Sequence, residues 1–337
     1  MKDSKIQWTD CTWNPFHGCH KVSEGCKFCY MYRDKERYGK DPNVVLKSKT
    51  QFSEPLKWKE PKLVFTCSWS DWFIEEADQW RDELWQIIKA TPHLTYQILT
   101  KRPHRIKQCL PADWGEGYDN VWLGVSVENE KNLDRCKILG EIPAKVKFIS
   151  AEPLLGELPG LNDILNQYKF DWCIIGGESG NSKGKYLFRE CKLEWIADII
   201  KVCQTNNVSV FVKQLGTHLK KQMQLKDTHA GDMEEWPDEF RIREFPINLK
   251  MENKVMDASA ETLASTIEKS ESETIIEERE ELIESPNEIS FPDKLEIVLE
   301  NNQEIITKEP VKERDKVSRK APKSVLTFNY IHLPTRR

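Results

Sequence analysis

The stretch Trp172-Cys173-Ile174-Ile175-Gly176-Gly177-Glu178-Ser179-Gly180 carries the pattern from which the fold is read. Its apolar run shows no polar alternation, which fits a strand covered on both faces, as in a parallel sheet; a strand with one wet face would alternate. The run then breaks at once into glycines and polar residues. On either side of it, the same kind of run recurs at Leu63-Val64-Phe65-Thr66-Cys67, Leu94-Thr95-Tyr96-Gln97-Ile98-Leu99, Val121-Trp122-Leu123-Gly124-Val125, Val146-Lys147-Phe148-Ile149 and Val208-Ser209-Val210-Phe211-Val212. A further strand is expected around Ile6-Gln7-Trp8. Helical patterns lie between several of them: 76–91, with Trp80, Leu84, Ile87 and Ile88 on one face, and 193–204, with Trp195, Ile196, Ile199 and Ile200. This alternation predicts an α/β protein, a complete or partial (β/α) TIM-like barrel of about 6–8 parallel strands.

Each of these strands gives way to polar residues. The runs lead in turn to Ser68, Ser70 and Asp71; to Thr100, Lys101 and Arg102; to Ser126, Glu128 and Asn129; to Ser150 and Glu152; to Gly176, Gly177, Glu178 and Gly180; and to Lys213 and Gln214. A single polar strand end is ordinary solvation. In a parallel barrel, however, all C-terminal strand ends open onto one face, where active sites lie. Lys101, Ser126, Glu128, Glu152, Gly176, Gly177, Glu178 and Lys213 are therefore candidate cofactor-binding positions.

A second pattern sits near the start, in Gly18-Cys19-His20-Lys21-Val22-Ser23-Glu24-Gly25-Cys26-Lys27-Phe28-Cys29-Tyr30. Three thiolates on one short loop are the ligand set for a [4Fe–4S] cluster with one iron left open, where a small molecule can bind. Cys19, Cys26 and Cys29 are the candidate metal ligands, and their loop would follow the first strand and reach the same mouth. The open iron would chelate the amino and carboxylate groups of S-adenosylmethionine. One electron from an external donor would then split its sulfur–carbon bond to give a 5′-deoxyadenosyl radical. The rival reading is a zinc site, Cys19, Cys26 and Cys29 with His17 or His20, which would make the chain a structural or nucleic-acid-binding module without radical chemistry. Cys11 precedes the turn-forming Thr12-Trp13-Asn14-Pro15 and is read as non-ligating. The other six of the ten cysteines are scattered singly in mostly apolar stretches and read as small core residues.

The chain has 337 residues and a formal net charge of -5, which gives no global electrostatic case for nucleic-acid binding. No basic-then-apolar leader and no run near the length of a membrane span is present, so a cytoplasmic location without membrane attachment is expected. Composition shifts near residue 250. All 15 glycines lie at or before Gly231 and all 12 tryptophans at or before Trp236, and a Glu/Lys/Ser-rich polyampholyte follows. Such a segment buries too little apolar surface to offset chain entropy. The expected division is a barrel domain over 1–248 and a charged low-complexity tail over 249–337, largely disordered or loosely helical.

The loop and barrel together resemble the radical S-adenosylmethionine superfamily, whose usual spacing is Cys-x3-Cys-x2-Cys with an aromatic before the last cysteine. Here the spacing is Cys-x6-Cys-x2-Cys, with Phe28 in the aromatic place. More specifically, Trp8-Thr9-Asp10, Thr12-Trp13-Asn14-Pro15, Gly25-Cys26-Lys27-Phe28-Cys29-Tyr30, Leu99-Thr100-Lys101-Arg102-Pro103, Leu123-Gly124-Val125-Ser126, Gly176-Gly177-Glu178-Ser179-Gly180, Phe211-Val212-Lys213-Gln214 and Arg241-Ile242-Arg243-Glu244-Phe245-Pro246 resemble a phage-associated three-cysteine-motif family of unknown function. The resemblance spans residues 5–248. It implies a cluster-binding fold of the S-adenosylmethionine type, places the zinc-binding alternative in a phage or defence system, and leaves the substrate open. A nucleic acid or other large substrate such as a protein, and a partner protein encoded nearby, are the expected partners.

Overall fold

The computed structural model describes residues 4–246; the expected tail and its helices lie outside the described residues. The chain runs β1 (Cys11–Trp13), β2 (Phe16–His17), α1 (Tyr30–Arg37), β3 (Leu46–Lys47), β4 (Lys62–Thr66), α2 (Arg81–Lys89), β5 (Leu94–Thr100), α3 (Ile106–Cys109), β6 (Val121–Ser126), α4 (Asp134–Gly140), β7 (Val146–Ala151), α5 (Leu161–Gln167), β8 (Trp172–Gly176), α6 (Leu193–Thr205), β9 (Ser209–Gln214) and α7 (Gly216–Met223). Seven strands form one parallel sheet in the order β1-β4-β5-β6-β7-β8-β9, an open half-barrel with helices packed on its outer side. β2 and β3 pair separately as a small antiparallel ladder inside the long β1–β4 connection. The expected partial barrel is what the chain forms.

Strand alternation sorts the side chains into two cores. Val64, Tyr96, Ile98, Leu123, Val125, Ile149, Cys173, Ile175, Val210 and Val212 join Leu84, Leu139, Ile164 and Ile196 of the helices in the outer core. The opposite parity, Phe65, Trp122, Val146, Phe148, Trp172, Ile174 and Phe211, joins Trp8 in a cluster to which no residue of α1–α7 contributes, on the concave face. Nearly continuous apolar runs follow from this double burial. The expected strand at Ile6–Trp8 is corrected: the strand lies at Cys11–Trp13, and Trp8 instead packs across the concave cluster against Phe65 and Trp172. The helix expected over 76–91 begins as a 3-10 turn at Glu75–Trp80 and becomes α-helical at Arg81, whose guanidinium turns back onto the Trp72 and Ile74 carbonyls. The scattered cysteines Cys67, Cys109, Cys136, Cys173, Cys191 and Cys203 are all buried. Cys11 is too, its Sγ directed at the Leu63 carbonyl in the outer core.

Gly177 shows how tightly the polar end of the sheet is built. A Cβ placed there would stand 2.1 Å from the Leu215 carbonyl oxygen, and Gly216, which faces it, has φ +87°. Backbone cannot yield as a side chain can. Gly177→Ala is therefore expected to destabilise the protein by roughly 1–3 kcal/mol, read as a lowered thermal midpoint with an unchanged far-UV spectrum.

Candidate functional site

The loop that leaves β1 crosses the C-terminal ends of the strands and carries all three candidate cysteines. Cys26 closes a 3-10 turn at Glu24–Cys26, and Cys29 is the N-cap residue of α1. Cys19, Cys29 and Phe28 pack with Trp69 around Met31, Tyr32 and Tyr186 in a small cluster of their own. The three sulfurs share one neighbourhood, since negative charge on each of them acts on the Tyr32 hydroxyl, and Cys26 acts on both Cys19 and Cys29. Among the described residues, no three His, Cys, Asp or Glu side chains are already drawn together as a metal-holding group.

Burial pushes the Cys19 thiol up to about 12, with the charge of Asp71 adding to it and the Arg102 guanidinium opposing. Burial also raises Cys29, while the amides of Met31 and Tyr32 at the start of α1, and the Lys101 ammonium, pull it back. Cations beside buried thiols favour the thiolate form that a metal requires.

Much of the polar mouth is engaged in holding this loop. Arg102 donates to the His20 carbonyl at 2.9 Å, lies 3.7 Å from Cys19 Sγ, and pairs with Asp71 at 3.2 Å. Glu128 has no exposed surface: Ser23 of the loop donates to one oxygen at 2.8 Å, Arg135 to the other at 2.9 Å, and Lys101 Nζ lies 3.5 Å away. The loop passes so close that a Cβ on Gly25 would stand 2.4 Å from Glu128 Oε1, which accounts for that glycine. Glu178 is held by the Arg189 side chain and backbone amide, and Arg189 in turn donates to the Glu24 carbonyl and lies over Phe28. Arg135 and Arg189 had no mark in the sequence, because they come from a helix and a loop that read as ordinary surface.

The structure thus brings Lys101, Glu128 and Glu178 to the cysteine loop, with Glu128 and Glu178 fully engaged as its anchors. Gly177 serves backbone packing against Leu215. Gly176 stands beside Glu152, where a Cβ would lie 3.1 Å from the carboxyl carbon. Gln214 donates to the Gly177 carbonyl and to Ser179. Ser126, Glu152 and Lys213 lie on the concave wall, Glu152 paired with Lys213. Tyr30, which follows Cys29, was not singled out in the sequence. Its hydroxyl donates to the Ser68 carbonyl, and loss of solvation pushes that hydroxyl above its ordinary range, with the charges of Cys29 and Glu152 adding to the effect. Of the histidines proposed for a zinc site, His20 is taken by Glu76. The His17 ring lies within reach of the charges of Lys35 and Lys40.

Fold and site together define a parallel α/β half-barrel with a three-cysteine loop anchored across its strand ends. The chain belongs to the family described as protein of unknown function (DUF5131), whose model matches residues 3–271. No curated protein matches the sequence. Among solved structures, it is similar to a mutant spore photoproduct lyase with bound AdoMet and dinucleoside spore photoproduct, at 12% identity and a TM-score of 0.39. That alignment covers 60% of this chain and 62% of the other, so the chain spans about three fifths of that structure. No helix among the described residues is long and apolar enough to cross a membrane.

Proposed function

We propose that the protein is an iron–sulfur enzyme of the radical S-adenosylmethionine type, acting on a nucleic acid or another large substrate. The observation that carries the reading is the placement of Cys19, Cys26 and Cys29. Three thiols sit on one loop at the C-terminal ends of parallel strands, with Arg102 and Lys101 beside them. Of the two histidines a zinc tetrahedron could draw on, His20 is engaged by Glu76, which leaves only His17 as a fourth protein ligand for that alternative. Cys19, Cys26 and Cys29 would hold the [4Fe–4S] cluster. When bound, the cluster and S-adenosylmethionine would supply a one-electron cleavage giving a reactive primary radical. The chain's own residues then do three things. Arg102, Glu128 and Arg189 fix the loop's path, the concave aromatic cluster keeps water from below, and Lys101 supplies positive charge beside Cys29.

The test is anaerobic reconstitution of the full chain with iron and sulfide, followed by reduction in the presence of S-adenosylmethionine. The expected outcome is stoichiometric iron and acid-labile sulfide, with 5′-deoxyadenosine in the products. Stoichiometric zinc in place of iron, or a loaded cluster that yields no 5′-deoxyadenosine with or without nucleic acid, overturns the reading.

A further inference from the structure

Once the residues that anchor the cysteine loop are set aside, a distinct group of polar side chains on the concave wall remains. Ser126 and Ser150 are register partners on β6 and β7, on the parity of Trp122 and Phe148. Both are almost fully buried, and neither hydroxyl has a hydrogen-bond partner among the described residues. Neither hydroxyl is sealed away from solvent, so both open onto the cleft, free to donate and to accept. Just beyond them Glu152 and Lys213 form an ion pair whose side chains are 20% and 19% exposed. Beneath them the Phe148 ring sits on Gly124, where a Cβ would stand 2.3 Å from the ring. Tyr30, 43% exposed and tethered through its hydroxyl to Ser68, offers an aromatic ring within reach of the Glu152 charge.

We propose that Ser126, Ser150, Glu152 and Lys213, with Tyr30 beside them, form a binding site for a neutral planar lactam, the edge presented by a uracil-type base. The charge of the ligand follows from the pair. Glu152 and Lys213 already compensate each other in a partly desolvated place, so an anion or cation added there leaves one charge uncompensated, which is costly. A neutral edge with N–H beside C=O donates to Glu152 and accepts from Lys213 without burying a further charge. The serine hydroxyls, each donor and acceptor, take the remaining edge atoms. Planarity follows from the ring seated on Gly124 and from the exposed Tyr30 ring, against which a flat ligand stacks. The site is the substrate side of the function proposed above and rests on that reading for the chemistry, although binding itself needs no cluster.

The experiment is a titration of the full chain with uridine and with N3-methyluridine, whose N–H is blocked, monitored by calorimetry or ligand-observed NMR. Saturable uridine binding is expected, weakened about tenfold by N3-methylation and by Glu152→Gln or Lys213→Met. Ser126→Ala and Ser150→Ala should each weaken it about threefold. Circular dichroism and thermal midpoints of all four variants separate lost binding from lost fold. Equal binding of the two nucleosides, indifference to both ion-pair variants, or no saturable binding overturns the proposal. Each titration is run with and without reconstituted iron. Uridine binding by a protein that takes up no iron keeps this inference and sinks the radical reading; 5′-deoxyadenosine formation without lactam selectivity does the reverse.

Discussion

Glu128→Ala is expected to lower the unfolding free energy by about 3–5 kcal/mol, because it strands Arg135 in the interior without its counter-charge. The carboxylate has no exposed surface, and both of its oxygens are engaged, one by Ser23 and one by Arg135. The loss should appear as a shift of the urea midpoint. Removing Arg135 as well, in a Glu128→Ala/Arg135→Ala double variant, should recover part of it, since no buried charge is then left alone. The two also differ from the parent in a second readout. Both variants lose the anchor on Ser23, so both should retain less iron after reconstitution even where stability is recovered. A double variant as unstable as the single one would show that Glu128 acts through something other than Arg135.

The cysteines give the largest expected effect on metal content. Changes to residues that merely support a ligand cost about 10–100-fold in metal affinity, and removing a ligand should exceed that. Cys19→Ala, Cys26→Ala and Cys29→Ala should each reduce iron and sulfide after reconstitution to near background and abolish 5′-deoxyadenosine formation. Cys11→Ala is the control. Its thiol lies buried in β1, directed at the Leu63 carbonyl and packed in the outer core, so iron content should stay unchanged while stability falls slightly. Loss of iron in the Cys11 variant would add a ligand to the set and close the open coordination position on which the proposed chemistry depends.

The strands were legible because each buries both faces and so reads as an unbroken apolar run ending in polar residues. β1 was not. Cys11-Thr12-Trp13 mixes a small, a polar and an aromatic residue ahead of Asn-Pro, while the stronger apolar pattern at Ile6 and Trp8 belongs to concave-face packing rather than to a ladder. The β2–β3 pairing of Phe16 with Lys47 and His17 with Leu46 left no trace, since two-residue strands so far apart in the chain carry no periodicity. At the mouth, strand-end reasoning picked out polar positions that the fold gathers at the strand ends and could not tell their structural tasks apart. Glu128, Glu178 and Glu152 look alike until Arg135, Arg189 and Lys213 are seen to engage them, and a glycine kept for a neighbouring backbone reads the same as one kept for a ligand. The serine pair is visible only through register, because nothing local links Ser126 to Ser150.

β1 and β9 end the sheet without pairing to each other among the described residues. The outer edge of β9 is hydrogen-bonded to residues 242–244, and on the concave side Trp8 from before the first strand and Phe245 from after the last both pack on Trp172. A ladder has a fixed register and must break to widen. Apolar contact is non-directional and slips at small cost. The contact of Trp8 and Phe245 on Trp172 is therefore of the kind that can adjust while every strand pairing stays intact.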